Sequence, residues 1–390
     1  RSMTLRVMPT YNRKIYFHFT QMMLWQRGPK NERSDEEYPK IGRARTLNPE
    51  KLAPIHKLDH AFIPKERPSP IFHNDVQITP ENWFNNGKQK ESTLKHTTWL
   101  LARNYDKEQV IPSWAAFNEA VSLVNSRTTT SGMLPILQAP ADDNSTVATV
   151  INRFMDITSK LGQPYTVIAM DQPLYSKAKE LVWANQNSYK DVVLVMGHLH
   201  IIFNFLKAIG QHMENTGLTD IWVESGEFAE GSTVAMMEGK AYYRAVRGHT
   251  LTYEALWQIY WKLFSSWLHE AGKDPSLSTK VVGIIEEFDT KKRTDSDTDS
   301  IQRSVGDVME AIDEKNIITM MEEFDKEFSD FPNFVLWRTY MKMVEILLDF
   351  IRANRDGDWS LHLSSFAAML PWMAIYDHTN YAQWGPVFII

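Results

Sequence analysis

The sequence predicts an α/β fold in which a small mixed sheet is embedded in many helices. Two short runs rich in β-branched residues, within 164–170 and 192–196, are typical of strands. Apolar residues recur at helical spacing in several longer segments, most clearly in 333–356. Because the helical segments greatly outnumber the candidate strands, we expect the sheet to be small and central.

Composition excludes several classes of protein. The 390 residues carry 42 Lys and Arg against 48 Asp and Glu, a net charge of −6, and 43% of them are hydrophobic, which is typical of a folded globular chain. The absence of cysteine excludes disulfides, thiolate metal sites and cysteine nucleophiles. No apolar run is long enough to predict a membrane-spanning helix. The net acidic charge also disfavours general nucleic-acid binding, which requires clustered Lys and Arg.

Charge is unevenly distributed along the chain. Residues 1–68 are predicted to form a basic, aromatic-rich arm and linker, whereas the remainder is acidic. Such an arm favours contact with nucleic acid, with an anionic surface or with the acidic body of another copy. We therefore expect either nucleic acid or a homo-oligomer formed through residues 1–70. A solvated, partly ordered tail is the alternative.

The elements follow in chain order from periodicity, capping residues and turn signals. Residues 69–162 are predicted to form a helical N-terminal region, and 163–390 a core with a helical insertion and a charged loop near 271–304. We expect helices over 79–105, 113–125, 145–162 (capped at Ser145 and ended by Gly162), 198–215, 233–246, 253–270, 304–328, 333–356 and 360–373, strands over 164–170, 192–196 and 221–223, and a loop over 126–145.

Asp171 is the first candidate for chemistry, because it directly follows an apolar run that predicts a buried strand. Carboxylates at such positions serve as ligands for Mg²⁺ or Mn²⁺ in phosphoryl transfer. The alternative is that Asp171 caps the helix that follows it, since Asp is a favoured N-cap residue.

Two further clusters contain imidazole or basic groups. His198, His200 and Asn204 lie at a predicted strand-to-helix junction, where His200 is a candidate metal ligand or catalytic group, and hydrogen-bonded helix-start residues are the alternative. Lys240, Arg244 and Arg247 are spaced to share one helical face and form a candidate nucleic-acid-binding stripe. Salt bridges to the acidic body are the alternative there.

Two late carboxylates, Glu345 and Asp377, are candidates to complete an acidic catalytic group with Asp171. Asp377 is flanked by aromatic residues. Glu345 belongs to a polar stripe that runs along the predicted helix 333–356 opposite its apolar face. We interpret this stripe more simply as a solvated face of salt bridges, formed by Arg338, Lys342, Glu345, Asp349 and Arg352.

Three segments together resemble a family of invertebrate proteins that looks transposon-derived. They are MGHLHIIFNFLKAIGQHMENTGLTDIWVESG, GKAYYRAVRGH and GDWSLHLSSFAAMLPWMAIYDHTNYAQWGPVF. The resemblance implies a ribonuclease-H-like, transposase-like core over 163–390, in which Asp171 is the first of several acids that hold Mg²⁺ or Mn²⁺. Gly197-His198 stands where such cores usually have the second acid.

The function implied by the resemblance is that of a catalytically degenerate, transposase-like protein associated with nucleic acid. The competing expectation is a structural or self-assembling protein that reuses the fold without catalysis. The first would work in the nucleus and the second outside the cell.

Overall fold

The computed structural model describes residues 2–6, 16–20, 23–27, 46–47, 87–122, 129–137, 139–273, 277–294 and 299–389. The chain divides into two compact units. The first contains the described residues within 1–76 and 127–200, and the second those within 77–126 and 201–389. The predicted combination of many helices with a few short strands is confirmed.

The strands of the first unit form three small sheets rather than the one central sheet that we expected. They are β1 (Ser2–Arg6), β2 (Tyr16–Thr20), β3 (Met23–Arg27), β4 (Thr46–Leu47), β5 (Thr129–Met133), β6 (Ile136–Leu137), β7 (Thr166–Met170) and β8 (Val192–Met196). One sheet has the order β1-β2-β6-β4, β3 pairs with β5 antiparallel, and β7 pairs with β8 in parallel. The predicted arm and the predicted loop 126–145 therefore both contain strands, and the other residues of the arm lie outside the described part.

The helices account for most of the remaining described residues. They are α1 (Gly87–Tyr105), α2 (Trp114–Val121), α3 (Asn144–Lys160), α4 (Gln172–Ala184), α5 (Gln186–Tyr189), α6 (His198–His212), α7 (Leu218–Glu224), α8 (Glu230–Met237), α9 (Tyr242–Glu270), α10 (Ser278–Thr294), α11 (Asp299–Glu314), α12 (Ile317–Glu327), α13 (Pro332–Asp356), α14 (Trp359–Ile375) and α15 (Thr379–Ile389). None of them is both long enough and apolar enough to cross a bilayer, within the described ranges.

The two predicted strands at 164–170 and 192–196 are confirmed as β7 and β8. Their register runs from Thr166 opposite Val192 to Met170 opposite Met196. The expectation that β7 is a buried strand is correct for one face only, because Ile168 is buried whereas Val167 is exposed. A two-stranded ribbon covers one face of each strand and leaves alternate side chains on the other.

Several predicted boundaries are wrong for local reasons. The predicted strand 221–223 lies inside α7, and the predicted loop 271–304 contains α10 and the start of α11, apart from 274–276 and 295–298, which are not described. The predicted helix 233–246 is interrupted at Gly239, whose φ of +69° is accessible to glycine. Helix α3 is capped by the Asp143 side chain, which accepts hydrogen bonds from the backbone amides of two following residues, rather than by Ser145.

The second unit is a helical assembly around α9 and α13. Its largest fully buried side chains include Tyr253 and Trp257 of α9, Tyr340 and Phe350 of α13, and Phe324 of α12. Helix α13 packs against α14 along one side and against α9 along another. A helix that is enclosed in this way has few positions left for contact with solvent.

Candidate functional site

Asp171 lies at the end of β7, as predicted, but its side chain caps α4. The carboxylate accepts a hydrogen bond from the backbone amide of Leu174 at 3.3 Å. This is the alternative that the sequence left open. Across the described residues, no three or more His, Asp or Glu side chains gather as a metal site would require. The residues around Asp171 therefore do not fit the acidic cluster that Mg²⁺ or Mn²⁺ would need.

The other acidic candidates are separate features of the second unit, whereas Asp171 belongs to the first. Asp377 is exposed and has a φ of +58° in the connection between α14 and α15. Beside it, burial and the charge of Lys207 lower the pKa of His378, and Asp377 partly opposes them. The Nδ1 atom of His378 lies 3.0 Å from the Oδ1 atom of Asn204.

The predicted histidine cluster lies at the start of a helix, as expected. His198 and His200 are exposed in the first turn of α6.

The predicted basic stripe does not lie on one helix. Lys240 precedes α9, and its ammonium is 2.7 Å from the carboxylate of Glu238. Arg247 lies on α9 and donates to Glu227 at 2.9 Å. Two of the three basic residues thus form the exposed salt bridges that were the alternative for this segment. Arg244 is exposed on the first turn of α9.

A cluster of buried polar side chains lies along α13, and it was not predicted from the sequence. Five residues of this helix were expected to form a solvated face, and the expectation is correct for Lys342, whose exposed ammonium pairs with Asp325. Arg338, Glu345, Asp349 and Arg352 are here called the buried polar stripe. For them the expectation is wrong, because the side chains of Arg338, Asp349 and Arg352 are each only 12% exposed. The residue spacing correctly placed them on one side of a helix, but α1, α9 and α12 cover that side.

At the first end of the stripe, Arg338 binds Asp325 of α12. Its Nε atom lies 3.0 Å from both carboxylate oxygens, and its guanidinium lies over the Tyr260 ring at 4.6 Å. The Tyr260 hydroxyl donates to the same carboxylate at 3.0 Å. Although burial opposes the charge, Glu345 and Asp325 raise the pKa of Arg338 above its ordinary value. Arg338 therefore remains a cation that holds α12 to α13.

Next along the stripe, Glu345 accepts a hydrogen bond from the hydroxyl of Tyr253 at 2.6 Å. Burial and the adjacent Glu345 carboxylate raise the pKa of Tyr253 well above its ordinary value. The phenol is therefore a neutral donor at physiological pH. Tyr253 and Tyr260 are seven residues apart on α9, so the same side of that helix binds the stripe at two points.

At the other end, the Oδ1 atom of Asp349 binds two side chains of α1. The Nε2 atom of His96 lies 2.9 Å from it, and the Ser92 hydroxyl donates to the same oxygen. The His96 ring stacks on Trp114 with 3.8 Å between ring centroids. Arg352 reaches the Ser92 hydroxyl at 3.5 Å. This end of the stripe fastens α1 to α13.

Serine, histidine and aspartate are the groups of a nucleophilic hydrolase, but their arrangement here differs from a catalytic one. Catalysis needs the serine hydroxyl bonded to the imidazole and the aspartate on the imidazole's far side. Ser92 and His96 instead both bind one oxygen of Asp349, and all three are buried. The arrangement satisfies a buried carboxylate, and it does not activate a hydroxyl.

A family model described as "Domain of unknown function (DUF8702)" matches residues 113–390, which is most of the chain. No curated protein and no solved structure is significantly similar to the chain. These comparisons overturn the resemblance to a transposon-derived, ribonuclease-H-like family, since the matching family model carries no such description and neither a curated protein nor a solved structure supports it.

Proposed function

Because the chain belongs to the DUF8702 family, whose description assigns no activity, we propose a function from its own surface. The protein is a self-assembling helical protein without catalysis, and its copies associate through an exposed apolar face of α9. That face comprises Leu251, Ala255, Ile259 and Leu263, here called the apolar ridge.

The exposure of the apolar ridge is the observation that carries this proposal. Ile259 is 59% exposed, Leu263 52% and Leu251 37%, and Ala255 is exposed as well. The four residues are spaced by four, so they form one of the rows that interdigitate when two helices pack. The opposite side of the same helix is buried. Contiguous exposed apolar surface of this kind marks interaction sites in soluble proteins.

The expected strength of association follows from the side chains. Complete burial of a Leu or Ile side chain contributes about 1.5–3 kcal/mol, and roughly half of each ridge side chain is already covered. The three large residues therefore contribute about 2–4 kcal/mol per copy, or about 4–8 kcal/mol for a pair. Because association costs about 4–15 kcal/mol in lost freedom, the three large ridge residues can support at most a weak association. We therefore expect oligomers only at high protein concentration.

The test is the molar mass of the full chain across a wide concentration range, by analytical ultracentrifugation. The wild-type mass should rise with concentration, and Ile259→Glu should abolish the rise by placing a charge in the contact. Ile375→Glu is the matched control, because Ile375 is a 62% exposed isoleucine at the end of α14. A wild type that stays monomeric, or a control that acts like Ile259→Glu, would contradict the proposal.

A further inference from the structure

We propose that Lys95 of α1 is a modification site, at which its amine combines with carbon dioxide to form a carbamate that Arg352 of α13 binds. The proposal does not depend on the self-association proposed above. It rests on the burial of the Lys95 side chain, on the few partners of its nitrogen and on the position of the Arg352 guanidinium.

Lys95 is buried in a way that penalises its charge. The residue is only 9% exposed. Among the described residues its ammonium donates no hydrogen bond, and its one ion-pair partner there, Glu91, lies 4.0 Å away, beyond hydrogen-bonding distance. Because an ammonium carries three N–H donors, burial with so few acceptors favours the neutral amine.

A second buried cation lies beside Lys95. Ser92 and Lys95 are three residues apart on α1 and therefore share one side of that helix. The Ser92 hydroxyl lies 3.5 Å from the guanidinium of Arg352, whose side chain is 12% exposed. The charge of Arg352 acts on Lys95 more strongly than that of Glu91 does. Burial and Arg352 together lower the pKa of Lys95 to about 8.

These surroundings make the Lys95 amine a nucleophile. At pH 7.5 about a quarter of the Lys95 side chains are neutral, against about one in a thousand for a lysine with the ordinary pKa of 10.5. Only the neutral amine has a lone pair for attack on an electrophilic carbon. Lysines that are desolvated or that lie next to another cation are activated in this way, and both conditions hold here.

Arg352 also decides which electrophile fits the site. A protonated Schiff base would keep a positive charge beside the guanidinium, whereas a carbamate carries a carboxylate, which a guanidinium binds well. The Nε atom of Arg352 lies 3.1 Å from Asp356, but no described residue accepts a hydrogen bond from its Nη2 atom. Carbon dioxide has only three atoms, so it reaches a nine-tenths buried amine more easily than a bulky acyl donor does.

The neighbouring carboxylate does not stand in the way of this product. Glu91 is 45% exposed, and its other oxygen already lies 3.0 Å from the ammonium of Lys88. Glu91 therefore keeps a cationic partner when Lys95 loses its positive charge.

The reaction balances without any oxidant or reductant. The lone pair of the Lys95 Nζ atom forms a bond to the carbon of carbon dioxide, and one C=O electron pair moves onto oxygen. One N–H proton passes to water. The product is an anion, so two adjacent cations are replaced by an ion pair between the carbamate and Arg352.

The test is chemical trapping on the full chain. The protein is equilibrated with isotope-labelled bicarbonate at pH 7.5 and alkylated with triethyloxonium, which converts carbamates into stable esters, and the adducts are located by peptide mass spectrometry. Label on Lys95 should exceed label on Lys90, an exposed lysine of the same helix, by roughly 200-fold, as their neutral fractions require. The α-amino terminus, with an ordinary pKa of about 8, is the positive control for trapping. A labelled terminus with unlabelled Lys95, or equal label on Lys95 and Lys90, would overturn the inference.

Arg352→Gln is the second measurement, because glutamine removes the charge that binds the carbamate. It should reduce the trapped label on Lys95 roughly 10-fold or more, the worth of a hydrogen bond to a charged group. Lys90→Gln is the matched control and should leave the label unchanged. Undiminished label in Arg352→Gln would overturn the role of Arg352. If that variant does not fold, the wild-type map alone decides the inference. A carbonyl compound fixed on Lys95 by borohydride, with no trapped carbamate, would assign Schiff-base chemistry instead and overturn the inference.

Discussion

Replacement of His249 should remove one identifiable part of the protein's sensitivity to acid. This imidazole of α9 is completely buried. Its Nδ1 atom lies 2.9 Å from the Tyr340 hydroxyl, and its ring meets Trp222 edge to face. Its Nε2 atom is buried and has no hydrogen-bond partner in the described part of the chain. Burial in these apolar surroundings lowers the pKa of His249 to about 3. Among the described residues, no carboxylate acts on the ring, so a proton on it would lack a counter-charge.

The sign and size of the effect follow from linkage. In the unfolded chain the pKa is 6.5, so on acidification the unfolded state binds the proton first. The neutral His249 ring makes its full contribution to the free energy of unfolding above pH 6.5. This contribution is lost as the pH falls from 6.5 towards 3. At about 1.4 kcal/mol for each pKa unit, the free energy of unfolding should fall by roughly 2 kcal/mol between pH 7.5 and pH 5 through this residue alone.

The assay is urea unfolding of the full chain at pH 7.5 and pH 5. The variant is the double substitution His249→Phe and Tyr340→Phe, which removes both hydrogen-bonding partners and leaves no phenol stranded. It should lose about 2 kcal/mol less than the wild type over this range. The control is His269→Phe, because His269 is an exposed histidine of the same helix, and this variant should follow the wild type. Identical pH dependence in the double variant and the wild type would refute the reasoning.

Three further expectations can be tested by urea or thermal unfolding. Asp325→Ala should cost about 3–5 kcal/mol, because it removes the carboxylate that the buried Arg338 cation and the Tyr260 hydroxyl both bind. A cost below 1 kcal/mol, roughly that of an exposed pair, would contradict the role given to the stripe. Gly210→Ala should cost about 1–3 kcal/mol, because its methyl group would overlap the backbone of Met237. Gly283→Ala places its methyl group in open space and should raise the free energy of unfolding by about 0.5–1 kcal/mol. Equal effects of the two variants would contradict the close approach at Gly210. Asp171→Ala should cost about 1 kcal/mol and Asp171→Asn much less, since asparagine also caps helices; equal costs would contradict the capping role.

Local sequence signals predicted the elements that depend mainly on local sequence. The β-branched runs of β7 and β8 and the apolar periodicity of α13 identified those elements to within a few residues. Helix α10 was missed because its charged end runs into a charged low-complexity stretch that resembles a solvated linker, although Val281, Ile284 and Phe288 recur at helical spacing. Strand β5 was missed because its threonines and glycine are equally typical of a loop.

The polar cluster could not be predicted because its partners are distant in sequence. Residue spacing placed Asp349 and its neighbours on one side of a helix, and that was correct. Whether such a side faces water depends on what packs over it, and here Ser92 and His96 come from more than 250 positions earlier in the chain. Asp171 is the opposite case. Its side chain caps the helix that follows it, so neighbouring residues alone explain its position and no distant partner is needed.

Helix α9 exposes an apolar ridge, whereas helix α13 buries a polar stripe. These two unusual features are connected. Tyr253 and Tyr260 bind the buried polar stripe at Glu345 and through Asp325. Buried polar groups add little net stability, but they accept only the packing that satisfies them. Two such contacts, seven residues apart, fix the rotation of α9 about its axis. The apolar ridge on the other side of the helix is thereby held outward. The buried polar stripe thus accounts for the orientation of the ridge, and the self-association that we propose would cover it.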